Sequence, residues 1–127
     1  MKRIRFLIIN WLLILAWMGV IYFFSDQPNL KSDLAPMWDT ILRKIAHMAE
    51  FFILAYLLFN AYRLSGIGLF QALYMASTIA IVYAFFDEWH QGGVVGRHQS
   101  YLDVGIDSLG VFTFAGLRYK YRKNYKK

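Results

Sequence analysis

Long apolar runs separated by short polar breaks dominate this chain. Phe6 to Phe24 has Asn10 as its only strongly polar residue, and Leu69 to Phe86 is nearly as clean, with Gln71 near its start. At about 1.5 Å rise per residue, a helix needs about 20 mainly apolar residues to cross the hydrocarbon layer, and both runs come close to or reach that length. Two further segments are apolar except at their beginnings: Ile41 to Tyr62 opens with Arg43, Lys44, His47 and Glu50, and Tyr101 to Leu117 with Asp103 and Asp107. The pattern predicts an all-α integral membrane protein. It is read as a four-transmembrane-helix bundle with helices at approximately 6–24, 41–62, 69–89 and 101–118, in a single membrane domain over residues 1–127. The last helix is short and should extend into Arg118 to Lys120 or sit in a thinned or tightly packed region.

The breaks agree with this layout. Residues 25–36, SDQPNLKSDLAP, hold both prolines and several turn formers and predict an outer loop, with a short interfacial helix around Met37 to Thr40. Residues 63–68 predict a tight inner turn, and residues 92–97, GGVVGR, a second outer loop. Those glycines lack the spacing and the following helix of a phosphate-binding loop and read as turn punctuation. The first apolar run follows Lys2, Arg3 and Arg5, but it exceeds the roughly 7–15-residue apolar region of a secretory signal and is expected to stay as an anchor.

Charge then gives an orientation. With four spans both termini share a side, which carries ten of the 14 lysines and arginines: Lys2, Arg3, Arg5, Arg63, Arg118, Lys120, Arg122, Lys123, Lys126 and Lys127. The preference for positive charge on the inner side makes both termini cytoplasmic. The other side collects Lys31, Arg43, Lys44 and Arg97 with all 8 acidic residues: Asp26, Asp33, Asp39, Glu50, Asp87, Glu88, Asp103 and Asp107. Any chemistry therefore faces outward. The tail RYKYRKNYKK alternates aromatics with cations, but directly after a membrane helix it reads as a topology anchor meeting anionic lipid heads, not as a nucleic-acid surface.

Composition strengthens the membrane reading. Of the 127 residues 58% are hydrophobic, against roughly 45–50% in soluble domains. There is no cysteine, which excludes disulfides and thiolate metal sites.

The polar residues within the apolar segments fall on helix faces. Lys44, His47 and Glu50 are spaced i, i+3, i+6 with Phe51 beside them; Asp87, His90 and Gln91 are related as i, i+3, i+4, with Glu88 pointing aside; Ser100, Asp103 and Asp107 line a third face that Gly110 continues. Charges within a bilayer are costly, roughly 2.5–3.5 kcal/mol each even on insertion scales. These faces should therefore point at one another. A purely structural reading takes the cluster as a polar knot holding the bundle together. Two bland expectations accompany it: Asn10 bonds across to another helix, and His98 is solvated in the outer loop. Trp11 and Trp17 read as packing or lipid-facing residues, while Trp38 and Trp89 fit an outer aromatic belt.

The ordered set Ser25-x-Gln27, Lys44-x-x-His47-x-x-Glu50-Phe51, Asp87-Glu88-x-His90-Gln91, Gly96-Arg97, Ser100-x-x-Asp103 and Gly110 resembles the VanZ-like family of small bacterial membrane proteins, named for a teicoplanin-resistance determinant. The resemblance runs from Trp17 to about Gly116. Val95 stands where a proline is common, and Asp107 where an asparagine is expected, which adds a carboxylate. The resemblance implies a multi-pass protein of the bacterial cytoplasmic membrane and cell envelope, some relatives of which lower glycopeptide susceptibility. It supplies no reaction.

Two mechanistic readings stand beside the structural one. In the first, the outer face is a hydrolase or transferase site for a phosphorylated or lipid-linked envelope substrate. His47, Glu50, Asp87 and His90 then form a divalent-metal set or an acid–base pair, Arg97 grips a phosphate or carboxylate, and Asp103 orients a histidine; Lys44, Glu88, Gln91 and Asp107 contact substrate. In the second, the same cleft binds without catalysis, recognising a lipid headgroup, a cell-wall precursor or an antibiotic. Membrane lipids are partners in both, and a homo-oligomer stays open.

Overall fold

The computed structural model describes residues 1–27 and 35–122. Within them the chain is all-helical, without strands: α1 (Lys2–Ser25), α2 (Pro36–Leu64), α3 (Leu69–Gln91) and α4 (Tyr101–Lys120). Most of the first outer loop, with Lys31 and Asp33, lies outside the described residues, as does the tail from Lys123, with Tyr125, Lys126 and Lys127. Two helices are long and apolar enough to cross a membrane, Arg3–Ser25 and Leu69–Gln91. The four spans expected from the sequence are thus matched by two on this measure, because α2 and α4 carry the charged residues that break their apolar runs.

The helix ends follow local chemistry. Pro36 opens α2, where a fixed φ and a missing amide are tolerated. Asp39 in its first turn and Arg63 in its last complement the helix dipole. The helix therefore begins five residues before the expected Ile41, and Met37 to Thr40 form its first turn and not a separate interfacial helix. In the turn between α2 and α3, Gly66 adopts φ +89°, a conformation that side chains resist. The last helix extends to Lys120, which lengthens it to 20 residues.

Helix α2 packs against the other three, α3 and α4 also meet each other, and α1 lies against α2 and α3. The buried core draws on Phe51, Leu54, Leu58 and Phe59 of α2 and on Val111 and Phe114 of α4. On α3 the buried face is a stripe of alanines four residues apart, Ala72, Ala76, Ala80 and Ala84. Small residues at that spacing let helices approach closely without a large apolar driving force. Gly110 makes the tightest approach, since a Cβ there would collide with the Met48 carbonyl of α2.

Tertiary bonds fix α1 along its length. The Arg3 guanidinium donates to the Leu64 carbonyl, Trp17 Nε1 donates to the Glu50 carbonyl at 2.9 Å, and Tyr83 Oη donates to the Met18 carbonyl at 2.7 Å. Asn10 does not reach across; its amide donates to Phe6 one turn back in its own helix. The outside of the bundle is apolar. Only 11% of the span window in α1 and 28% of that in α3 are buried, so these helices do not owe their hydrophobicity to a protein core.

The α2–α4 approach makes Gly110→Ala destabilising by roughly 1–3 kcal/mol through overpacking. Gly105, on the same helix, has nothing within 4 Å of the place a Cβ would take, so alanine there should be tolerated or gain up to about 1 kcal/mol. Unfolding of the purified variants in detergent checks the contrast; equal effects would contradict the close seam.

Candidate functional site

The polar residues gather at one end of the bundle, around the last turn of α3. Because α2 starts early, Lys44, His47 and Glu50 sit in its third to fourth turns, with Glu50 about 20 Å from the helix start. The other contributors are the final turn of α1, the loop from Gly92 to Ser100 and the first two turns of α4.

Asp87 and Asp107 are 1% and 2% exposed, deeper than any other ionisable residues described. His47 lies between helices α2 and α4: its Nδ1 is 3.6 Å from Asp107 Oδ1 and 3.7 Å from Glu50 Oε2. One ligand atom each from His47, Asp87 and Asp107 falls within 4.8 Å of the others. Asp87 is held by Gln91, whose Nε2 donates to Asp87 Oδ2 at 2.9 Å and also meets Ser25 Oγ at 3.2 Å. Glu50 Oε2 is buried without a hydrogen-bond partner.

The loop that closes this end is shaped by its glycines. Arg97 N donates to the Val94 carbonyl, and Gly96 between them has φ +82°. A turn with a positive φ at its third residue favours glycine there and proline just before, the place that Val95 occupies. This turn carries Arg97 back over the site, where its guanidinium donates to the Ser25 carbonyl at 3.2 Å. Burial, with the Arg43 cation nearby, pulls the Arg97 pKa below the ordinary guanidinium value, while Asp87, Glu88 and Glu50 oppose the shift. Arg97 remains a cation, since guanidinium groups do not deprotonate in proteins.

A cleft of about 260 Å³ opens over these groups, lined among others by Arg43, Lys44, His47, Arg97, Asp103 and Asp107. At its wall Lys44 Nζ pairs with Asp103 Oδ1 at 3.2 Å, both side chains partly exposed. Arg43 Nη2 contacts Asp39 Oδ2 at 2.6 Å, one helical turn back.

The structure brings His47, Glu50, Asp87 and Asp107 together, with Lys44, Glu88, Gln91, Arg97 and Asp103 around them. His90 is not among them. It stacks on Tyr22, ring centroids 4.4 Å apart, and its Nε2 meets Asp26 Oδ1 at 3.2 Å, on the α1 side of α3. Of the four metal-ligand candidates read from sequence, His47, Glu50 and Asp87 thus lie together and His90 lies apart, while Asp107 sits beside His47. Glu88 does not point aside: it is 4% exposed and accepts the Ser100 amide at 2.5 Å, tying the loop to the start of α4. Gln91 orients Asp87, and Asp103 engages Lys44 where a histidine was expected. Arg43 and Ser25 were missed as site residues, although Ser25 opens the ordered motif set and Arg43 precedes Lys44. His98 is exposed, as expected, yet lies on the cleft wall.

These features define a small all-helical protein with two membrane-length apolar helices and a partly buried histidine–carboxylate cluster beneath a cleft lined by both cations and carboxylates. The chain belongs to the VanZ/LLP1 family, whose model matches residues 10–120. No curated protein and no solved structure shows significant similarity to it.

Removing the Glu88 carboxylate with Glu88→Ala leaves the Ser100 amide without its acceptor and should cost about 1–3 kcal/mol. His90→Ala removes a partly exposed pair, expected at about 0–1 kcal/mol. Chemical unfolding of both variants measures the difference, and a larger loss for His90→Ala would contradict the assignment.

Proposed function

We propose that this protein is a multi-pass protein of the bacterial cytoplasmic membrane whose four helices all span, with both termini inside. Its cleft recognises the anionic headgroup of an amphipathic envelope molecule. The spanning arrangement is supported by the outward apolar faces of α1 and α3 and by the inward placement of the charges that interrupt α2 and α4, the arrangement expected of ionisable residues at membrane depth. The observation that carries the binding role is the Arg97 guanidinium, turned over a cleft that also holds Arg43, Lys44 and His47 beside Glu88, Asp103 and Asp107. A partly desolvated guanidinium gains from an incoming phosphate or carboxylate, which replaces lost hydration with a charge-assisted bond.

The groups beneath the cleft favour chemistry at that headgroup over binding alone. His47 stands within 3.7 Å of two carboxylates and borders the open volume, a placement suited to taking or giving a proton at a bound group. The proposed reaction class is hydrolysis or transfer on a phosphorylated or lipid-linked envelope substrate. Family membership supports a link to glycopeptide resistance, and teicoplanin is the antibiotic proposed here.

In nanodiscs, the wild-type protein should bind a short-chain prenyl phosphate at least tenfold more tightly than the uncharged alcohol of equal length. Arg97→Ala should remove that preference, and Arg97→Lys keep part of it, as measured by calorimetry. Equal affinity for phosphate and alcohol would overturn the headgroup reading. In a susceptible host, expression of the wild-type chain should raise the teicoplanin concentration needed to stop growth. His47→Gln should lose that effect while keeping phosphate binding within about threefold of the wild type when both are measured with chelator present; a variant that retains full protection would leave binding without catalysis as the function.

A further inference from the structure

We propose that His47, Asp87 and Asp107 hold a divalent cation at the floor of the cleft. Their ligand atoms come from three helices and lie within 4.8 Å of one another. Asp107 supplies the independent pointer to a ligand: its side chain is 3% exposed, it faces His47, and it makes no hydrogen bond among the described residues. A buried carboxylate without donors is costly, and His47 Nδ1 at 3.6 Å is beyond hydrogen-bond length. That separation suits two ligands of one ion. Ligand atoms each about 2.1 Å from a metal, with an angle of roughly 110–120° between them, stand about 3.4–3.6 Å apart.

The surrounding residues fit the same role. Gln91 donates to Asp87 Oδ2, leaving Oδ1 to the cluster, as a hydrogen-bonded neighbour fixes a metal-binding carboxylate. Glu50 Oε2, buried and without a partner, is 3.7 Å from the same histidine nitrogen and is the acceptor for a water on the ion. The nearby cations have other attachments: Lys44 pairs with Asp103 and Arg97 reaches the Ser25 carbonyl. A dication would offset the buried negative charge that they leave. One imidazole with carboxylates suits Zn²⁺ or Mn²⁺ better than Ca²⁺, which takes oxygen ligands. The ion's open side faces the cleft, so its ligand in use would be the anionic headgroup of the proposed function.

This deepens that reading, and rests on it for the ion's use, but the binding test contains no headgroup, so the two fail separately. The purified full-length protein, stripped with chelator, is titrated with Zn²⁺ and with Mn²⁺ by calorimetry, and the bound metal is counted by elemental analysis. One ion per chain is expected for one or both metals, with a rise in unfolding temperature. Asp107→Asn and His47→Gln should each weaken binding at least tenfold, whereas Asp26→Asn, beside His90, should leave it unchanged. Absence of stoichiometric binding by the folded wild-type protein overturns the proposal, even if prenyl phosphate binds. So does wild-type affinity in either folded site variant.

Discussion

The burial of Asp87 and Asp107 in a small apolar bundle is the constraint around which this structure is arranged. Carboxylates in such surroundings need compensation from hydrogen bonds, opposite charge or a bound ion. Each element at this end contributes: α2 brings His47 against Asp107, α3 brings Gln91 back onto Asp87, and α1 ends with Ser25 beside Gln91. The loop after α3 then turns Arg97 over the top. Tight approach of α2 and α4 at Gly110, three residues beyond Asp107, keeps the histidine and the carboxylate facing each other.

The same arrangement separates two kinds of polar contact. Glu88 with Ser100, Gln91 with Asp87, and Trp17 with the Glu50 carbonyl are hydrogen bonds of 2.5–2.9 Å that position backbone and side chains. The contacts of His47 with Glu50 and Asp107 are longer, and His47 and Asp107 border the cleft. Close bonds around a looser centre are what a site built to receive something requires: the supporting residues are fixed, while the central groups keep unspent bonding capacity.

Four helices were legible in the sequence because apolar runs and turn residues mark them directly. The face formed by Lys44, His47 and Glu50 was legible from helical spacing, as was that of Asp103 and Asp107. The rotation of α3 was not. Asp87, His90 and Gln91 share a broad face by spacing, yet the alanines at 72, 76, 80 and 84 define the buried stripe. At about 100° per residue, continuing that stripe buries Asp87, Glu88 and Gln91 and leaves His90 roughly a quarter turn away. There it meets Tyr22 and Asp26. The alanine spacing is the signal in the sequence that fixes this rotation. The start of α2 was mistaken because charged residues broke its apolar run, although Pro36 marked a helix beginning. The role of Ser25 depends on which carbonyl and hydroxyl meet across helices, a tertiary relation that local pattern does not encode.

An outward-facing cleft is the claim on which binding of an envelope headgroup most depends, and the absence of cysteine makes it directly measurable. Val95, 87% exposed in the loop beside Arg97, and Ser65, in the turn at the opposite end, accept single Val95→Cys and Ser65→Cys substitutions. A membrane-impermeant maleimide applied to intact cells, with the outer membrane permeabilised where one is present, should label Val95→Cys at once and Ser65→Cys only after lysis. Protection of Val95→Cys together with labelling of Ser65→Cys in intact cells would place the cleft in the cytoplasm and contradict it.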